Sequence, residues 1–160
     1  MRSVSGPLPC TELPMPLSYD DCLSKGLLKR IPPSKEQGKR SFDKAQRWLD
    51  EAKAILGSKA FNSSVSAAYL TMFHSARAIL FTDGFREKSH ACVARYLAQY
   101  VQKGKLEQEW VDLLDHHREI RHEDQYDLSF FATEEDAKKA LESATTFMQR
   151  MKKLFSEIAR

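Results

Sequence analysis

Glycine and proline are scarce in this sequence, six of each in 160 residues, and four of the prolines fall before residue 17. So few turn formers beyond the start exclude a loop-rich or collagen-like chain. Long apolar runs are missing too. The longest interior stretch without Lys, Arg, Asp or Glu, residues 60–76, still holds Asn62, four serines, Thr71 and His74, and is too short and too polar to span a bilayer. The first eighteen residues, MRSVSGPLPCTELPMPLS, lack an apolar segment of signal-peptide length and read as a flexible Pro-rich leader to a single domain over residues 19–160. Cysteines number three, Cys10, Cys22 and Cys92, with no metal-ligand spacing. They predict neither a disulfide framework nor a zinc site, but a cytoplasmic protein with reduced thiols. A Gly-rich phosphate loop, a GxSxG elbow and an HExxH zinc motif are absent as well, so no cofactor or metal is expected.

What is present is helical periodicity. Phe42, Ala45, Trp48, Leu49, Ala52, Ile55 and Leu56 recur at the three-and-four spacing of one helix face, after a possible Ser34 N-cap and before a Gly57 stop. Upstream, the IPPS segment separates this helix from a short one expected over residues 19–30. A second long helix over residues 62–82 is apolar on most of its surface, which places it centrally, and ends at Asp83-Gly84. Ser89 is expected to cap a third, and Gly104 divides it from a fourth carrying Trp110, Leu113, Leu114, His117 and Ile120. Thr133 to Asp136 has the form of a capping box before a final helix striped from Ala137 to Ile158. Short connections favour antiparallel neighbours. The expected fold is all-α, an antiparallel up-and-down bundle of four main helices plus a short N-terminal helix.

Charge is unevenly placed. Residues 25–47 carry eight Lys/Arg against Glu36 and Asp43, and residues 85–105 carry five against Glu87, while residues 113–127 carry Arg118 and Arg121 against five acids. That is the pattern of a basic rim around a mildly acidic centre, suited to gripping a polyanion by its backbone. The centre is HHREIRHEDQYD, residues 116–127. Periodicity continues the buried stripe of its helix through His117, Arg121 and Asp124, and sets Arg118 and His122 one turn apart on the next face. Arginine offers a planar fork for phosphate and histidine can trade a ribose or leaving-group proton near neutral pH, so Arg118, His122 and His117 are the catalytic candidates. Arg118, Arg121, Tyr126 and Arg77 are the phosphate-binding candidates. Metal binding by His117 with Asp124, or by His122 with Glu119, is opposed by the adjoining arginines. In YLTMFHSAR, His74 and Arg77 interrupt the most apolar helix; a buried Arg77 requires a carboxylate, for which Asp124 or Asp127 is the expected source, giving His74, Asp124 and Asp127 a structural polar role.

YLTMFHSARAILFTDGFREKSH, followed some thirty residues later by REIRHEDQYD, resembles the HEPN-domain proteins of prokaryotes, in particular their stand-alone branch. The resemblance runs from about Tyr19 to the C-terminus. It implies an antiparallel helical bundle that forms homodimers, a minimal nucleotidyltransferase as partner, nucleotide or RNA as ligand, and a place in toxin–antitoxin-like modules. Several branches of the family are metal-independent ribonucleases with an Arg-x4–6-His pattern. Here three residues separate Arg118 from His122, and Asp124 stands where some branches carry the His of a His-x-Tyr ending at Tyr126. One residue fewer turns the histidine by roughly 100° about the helix. The expectation is therefore phosphate binding ahead of cleavage, with a purely structural dimer as the remaining alternative.

Overall fold

The structure is a computed structural model that describes residues 17–159. The expected leader therefore lies, save for Leu17 and Ser18, outside the described residues, as does Cys10.

Six helices and one small sheet follow in order: α1 (Tyr19–Ser24), β1 (Leu28–Arg30), α2 (Lys35–Gly57), α3 (Phe61–Asp83), β2 (Phe85–Glu87), α4 (His90–Gln102), α5 (Gln108–Tyr126) and α6 (Glu134–Ile158). The all-α bundle is as the periodicity requires, with α2, α3, α5 and α6 as the four long helices. Their ends are written in local chemistry. Ser34 accepts the Gln37 amide at 3.1 Å to start α2, and Thr133 and Asp136 close a reciprocal capping box on α6 at 3.1 and 2.9 Å. Ser18 and Asp21 form another on α1. Ser89 occupies the N-cap position of α4, but its hydroxyl makes no capping bond.

The expected helix over residues 19–30 stops at Ser24; its second half becomes β1, paired antiparallel with β2 from Leu28 opposite Glu87 to Arg30 opposite Phe85. Three-residue strands are too short to show alternation, so the sheet left no readable period. Gly84 makes the turn possible. Its φ of +91° suits only glycine, and a Cβ there would lie 2.7 Å from the Ile31 carbonyl oxygen.

Antiparallel packing can be read from side-chain register. Between α2 and α3, Ser64 Oγ donates to the Ala52 carbonyl at 3.0 Å and Ser41 Oγ to the His74 carbonyl at 2.7 Å, so residue numbers rise on one helix as they fall on the other. The same holds for Ser66–Asp124 and Tyr69–Arg121 between α3 and α5, and for Glu107–Arg150 and Trp110–Phe147 between α5 and α6. At Gly38 the approach of α2 to α3 leaves no room for a side chain: a Cβ would fall 2.3 Å from Thr82 Oγ1. Helix α3 is central, burying Val65, Tyr69, Met72, Phe73, Ile79 and Leu80 against α2, α5 and α6. Tyr96 and Tyr100 of α4 both donate their hydroxyls to Asp83 Oδ2, the first at 2.6 Å, which docks α4 on the end of α3.

One expectation about the cysteines is overturned. Cys22 and Cys92 form a disulfide, both fully buried, with Cα atoms 5.8 Å apart. Seventy residues separate them in sequence, and only the seating of α1 against the first turn of α4 makes them neighbours. Among the described residues, no helix is long and apolar enough to cross a membrane.

Candidate phosphate site at the junction of α3, α4 and α5

The dense segment 116–127 lies almost wholly within α5, and the helix sends its groups in different directions. His117 points inward and is 6% exposed. It lines an apolar cavity of about 290 Å³ shared with Val65, Leu113, Ile120, Phe130 and Ala140. Burial, and secondarily His116, lower its pKa to about 4, so it is neutral at physiological pH. Arg118 donates at 3.5 Å to Asp115, one turn earlier on α5, and Asp115 also pairs with Arg95 of α4. Burial raises the Asp115 pKa against the pull of those two arginines. His122 is exposed and lies against Tyr126, ring centroids 4.9 Å apart; Tyr126 is itself 69% exposed. The structure thus brings neither His117 nor His122 into a hydrogen bond with Arg118 among the described residues.

Arg121 reaches α3 and sets its guanidinium 5.5 Å from the centre of the Tyr69 ring. The Tyr69 hydroxyl is 2.9 Å from His90 Nδ1, and the His90 ring stacks on Phe73 at 4.0 Å with 13° between planes. On the other side of Phe73 stands Arg77, 5.4 Å from that ring and 4.8 Å from Phe81. Arg121 thus contacts the Tyr69 ring, Arg77 reaches the imidazole–phenol pair through Phe73, and Arg118 acts on both rings through its charge. Burial lowers the pKa of His90, and Arg121, Arg77 and Arg118 push it the same way, so the ring is held neutral. Burial also raises the Tyr69 hydroxyl pKa, in spite of Arg121 and Arg118, which keeps the phenol protonated.

The carboxylate facing Arg77 is Glu87 of β2, at 2.8 Å, and not Asp124 or Asp127. The Arg77 Nε–H lies out of line with Glu87, so the contact is ionic and not an aligned hydrogen bond. The correction follows from the hairpin: β2 leaves α3 through Gly84 and folds Glu87 back beside Arg77. Asp124 instead accepts from Ser66 Oγ at 2.8 Å, and burial raises its pKa while Ser66 and Asn62 lower it. Asp127 has no part in a polar core. It caps the end of α5, is exposed, and accepts from the Ser129 amide and hydroxyl at 2.9 and 2.7 Å. His74 is half-buried on the α2 side of α3, with its pKa lowered to about 4 by burial first and then by Arg77 and Lys44.

His90 was not among the candidates taken from the sequence. Its signal was faint: one histidine after Ser89 at a helix start, thirteen residues beyond Arg77 and far from segment 116–127. Two unpartnered guanidinium nitrogens, Nε of Arg118 and Nε of Arg121, are buried at this junction. Buried N–H groups without an acceptor are uncommon, and an anionic oxygen is the partner their charge favours.

Comparison with known proteins agrees with the architecture. Residues 39–154 match the model of the HEPN domain. A Methanocaldococcus jannaschii protein named "Putative toxin MJ0605" is 31% identical over 115 residues, covering 71% of this chain and 85% of that protein. A second protein of that organism, "Putative toxin MJ0142", is 23% identical over 120 residues, 74% of this chain and 82% of its own length. A "UPF0332 protein" of Thermotoga maritima is 26% identical over 118 residues, 73% of this chain and 89% of that protein. With the family model spanning most of the bundle and a relative above 30% identity, this chain belongs to the HEPN domain family.

Proposed function

We propose that this protein binds the phosphate of RNA or a nucleotide at the junction of α3, α4 and α5, as the toxin-like member of a two-component module. The observation that carries the reading is the convergence of Arg77, Arg118 and Arg121 on the neutral His90–Tyr69 pair, with Nε of Arg118 and Arg121 buried and unpartnered. Four guanidiniums, those of Arg77, Arg95, Arg118 and Arg121, against two carboxylates, Glu87 and Asp115, leave two positive charges in surplus. A phosphate would satisfy both the charge and the orphaned donors. The relatives named as toxins support the toxin-like role, and the family resemblance supplies a minimal nucleotidyltransferase as the partner class.

A homodimer fits this reading. Tyr126, Leu128 and Phe131 are 69, 96 and 77% exposed at the end of α5 and just beyond it, a cluster of large apolar groups that a second copy would cover. Tyr126 would then stand at the edge of the paired sites.

A second reading, metal-independent cleavage, is favoured by one specific feature: a neutral imidazole beside three guanidiniums. His90 could take the proton of a ribose 2′-hydroxyl while the arginines hold the phosphate. The 2′-oxygen would attack phosphorus, and the departing 5′-oxygen would take a proton from water, leaving a 2′,3′-cyclic phosphate and a 5′-hydroxyl.

One experiment separates the readings. Purified protein is incubated with RNA in chelator, and nucleotide binding is measured on the same samples. Binding that weakens at least tenfold in Arg121→Ala and Arg118→Ala, without cleavage, supports the first reading. Cleavage lost in His90→Gln as well as Arg121→Ala moves the conclusion to the second. Binding equal to wild type in both arginine variants refutes the site.

A further inference from the structure

Beside that site, and sharing Arg77 with it, a groove runs between α2 and α3. Arg40, Lys44 and Arg47 follow one another at intervals of four and three on α2, spanning about 10 Å of one helix face. All three are exposed and line a cavity of about 480 Å³ whose far wall is His74, Arg77 and Phe81 of α3. Toward the start of α2 the groove continues into a second cavity of about 580 Å³, which shares Gln37, Arg77 and Phe81 and adds Arg86 of β2. Five cations thus line one concave track with a single acid, Asp43, in its lining, and of the five Arg77 is already paired with Glu87.

On α6, Lys138 pairs with Glu134 at 3.1 Å and Lys139 with Glu135 at 3.2 Å, while Lys152 and Lys153 of the same helix form no ion pair among the described residues. In the groove, Arg40, Lys44, Arg47 and Arg86 form no ion pair among the described residues. Asp43, three residues after Arg40 and four before Arg47, pairs with neither. His74 adds no charge, since burial and its cationic neighbours keep it neutral. Like charges held unpaired along one wall of a cleft and at its end, Arg40, Lys44 and Arg47 on α2 and Arg86 on β2, reinforce one another's field, which favours a polyanion.

We infer that this groove is a binding track for the phosphodiester backbone of a single-stranded nucleic acid, leading over Arg77 toward the α3–α4–α5 junction. The inference rests on the reading of that junction as a phosphate site and extends it. A protein segment is the poorer fit: Phe81 is the one apolar residue lining the 480 Å³ stretch beside α2, the 580 Å³ stretch adds only Ile31 and Pro32, and peptide docking relies on buried apolar anchors. A phosphate chain needs only the cations, and Arg77 is the residue common to the groove and the surroundings of His90.

The test is the affinity of a fluorescent twelve-residue uridine oligonucleotide as a function of salt. Each phosphate contact on a single strand contributes about 0.7 to the slope of log K against log salt. Arg40→Ala/Lys44→Ala/Arg47→Ala should therefore lower the slope by about 2, which is roughly 100-fold in affinity at 0.1 M salt relative to a 1 M reference. Circular dichroism checks the fold, and the three exposed positions leave the core untouched. Uridine monophosphate, too short to leave the junction, should bind the triple variant as it binds wild type and should lose affinity in Arg121→Ala. The matching deoxyuridine strand tests the source: equal binding, or tighter binding of RNA, both fit a backbone track. A slope unchanged in the triple variant overturns the groove while the junction stands. A slope lowered by the triple variant, with mononucleotide binding indifferent to Arg121→Ala, leaves the groove standing and removes the junction. Displacement of the strand by a polyglutamate peptide of equal charge and length, at equal concentration, or equal affinity for a duplex, would also overturn the single-strand assignment.

Discussion

Breaking the Cys22–Cys92 disulfide should destabilise this domain more than any single surface change. The bond closes a loop of 70 residues that contains all of α2, α3 and β2. In the chain-entropy description, a loop of that size withdraws about 15 cal/mol/K from the unfolded ensemble, or about 4.4 kcal/mol at 25 °C. Both sulfurs are fully buried, so the alanine pair Cys22→Ala/Cys92→Ala adds a small packing loss, while reduction of wild type does not. For a domain of this length, 1 kcal/mol moves the melting temperature by roughly 2–4 °C, which sets the expected fall at about 9–18 °C.

Two assays check the chain of reasoning at separate links. Thiol titration in denaturant without reductant should find one free thiol per chain, that of Cys10, and three after reduction. Urea unfolding of oxidised and reduced protein should then give free energies about 4 kcal/mol apart. Three free thiols in the unreduced protein would refute the bond. A confirmed bond whose reduction changes stability by less than 1 kcal/mol would refute the loop-entropy account and imply a denatured state already compact around α1 and α4. Leu17, just before α1, also walls the small cavity lined by Arg95, Asp115 and Arg118, so loosening α1 should weaken nucleotide binding as well.

Glu87→Gln leaves Arg77 half-buried without its counter-charge and should lower stability by up to about 3–5 kcal/mol, measured by urea unfolding; a change under 0.5 kcal/mol would show the pair to be solvated. Gly38→Ala forces a Cβ to within 2.3 Å of Thr82 Oγ1 and should cost about 1–3 kcal/mol by urea unfolding; adding Thr82→Ala should restore part of the loss, since the Ala78 carbonyl oxygen and the Phe155 ring stay 3.0 and 3.1 Å from the new Cβ. For His117, the folded pKa of about 4 lies below the unfolded value of 6.5, so the unfolded chain binds more protons between them. Its contribution is unchanged above pH 6.5 and declines as pH falls to about 4, by up to roughly 3 kcal/mol, and the corresponding slope should vanish in His117→Leu. Light scattering at micromolar concentration should report a dimer that Leu128→Asp/Phe131→Asp converts to monomer; an unaltered dimer would place the interface elsewhere.

Long-range order along the helices was legible because it depends on period and caps. The stripes of α2 and α6, the apolar surface of α3, and the polar signals at Ser34, Gly84 and Thr133 are local, and each helix of the bundle can be located from them. What escaped reading depends on contacts between distant residues. The β1–β2 pair is three residues long on each side and has no pattern to detect. The disulfide depends on where α1 comes to rest, and the partner of Arg77 on where the hairpin returns. In both cases the sequence held the reactive groups and withheld their distance.

The same distinction explains why HHREIRHEDQYD promised a compact site and the fold disperses it. A helix turns about 100° per residue, so neighbours in such a segment must face different elements. His117 is taken by the apolar cavity beside α6, Asp124 by Ser66 of α3, and His122 by solvent and Tyr126. Only Arg118 and Arg121, three residues apart, lean toward the junction with α3 and α4, and they find there a histidine from a helix that carries no motif at all. Dense ionisable residues on one helix therefore mark which end of a bundle is polar, not which groups will meet. The groups that meet here, Tyr69, Arg77, His90, Arg118 and Arg121, come from three helices, and it is the antiparallel register of α3 with α5, with Tyr69 level with Arg121, that assembles them.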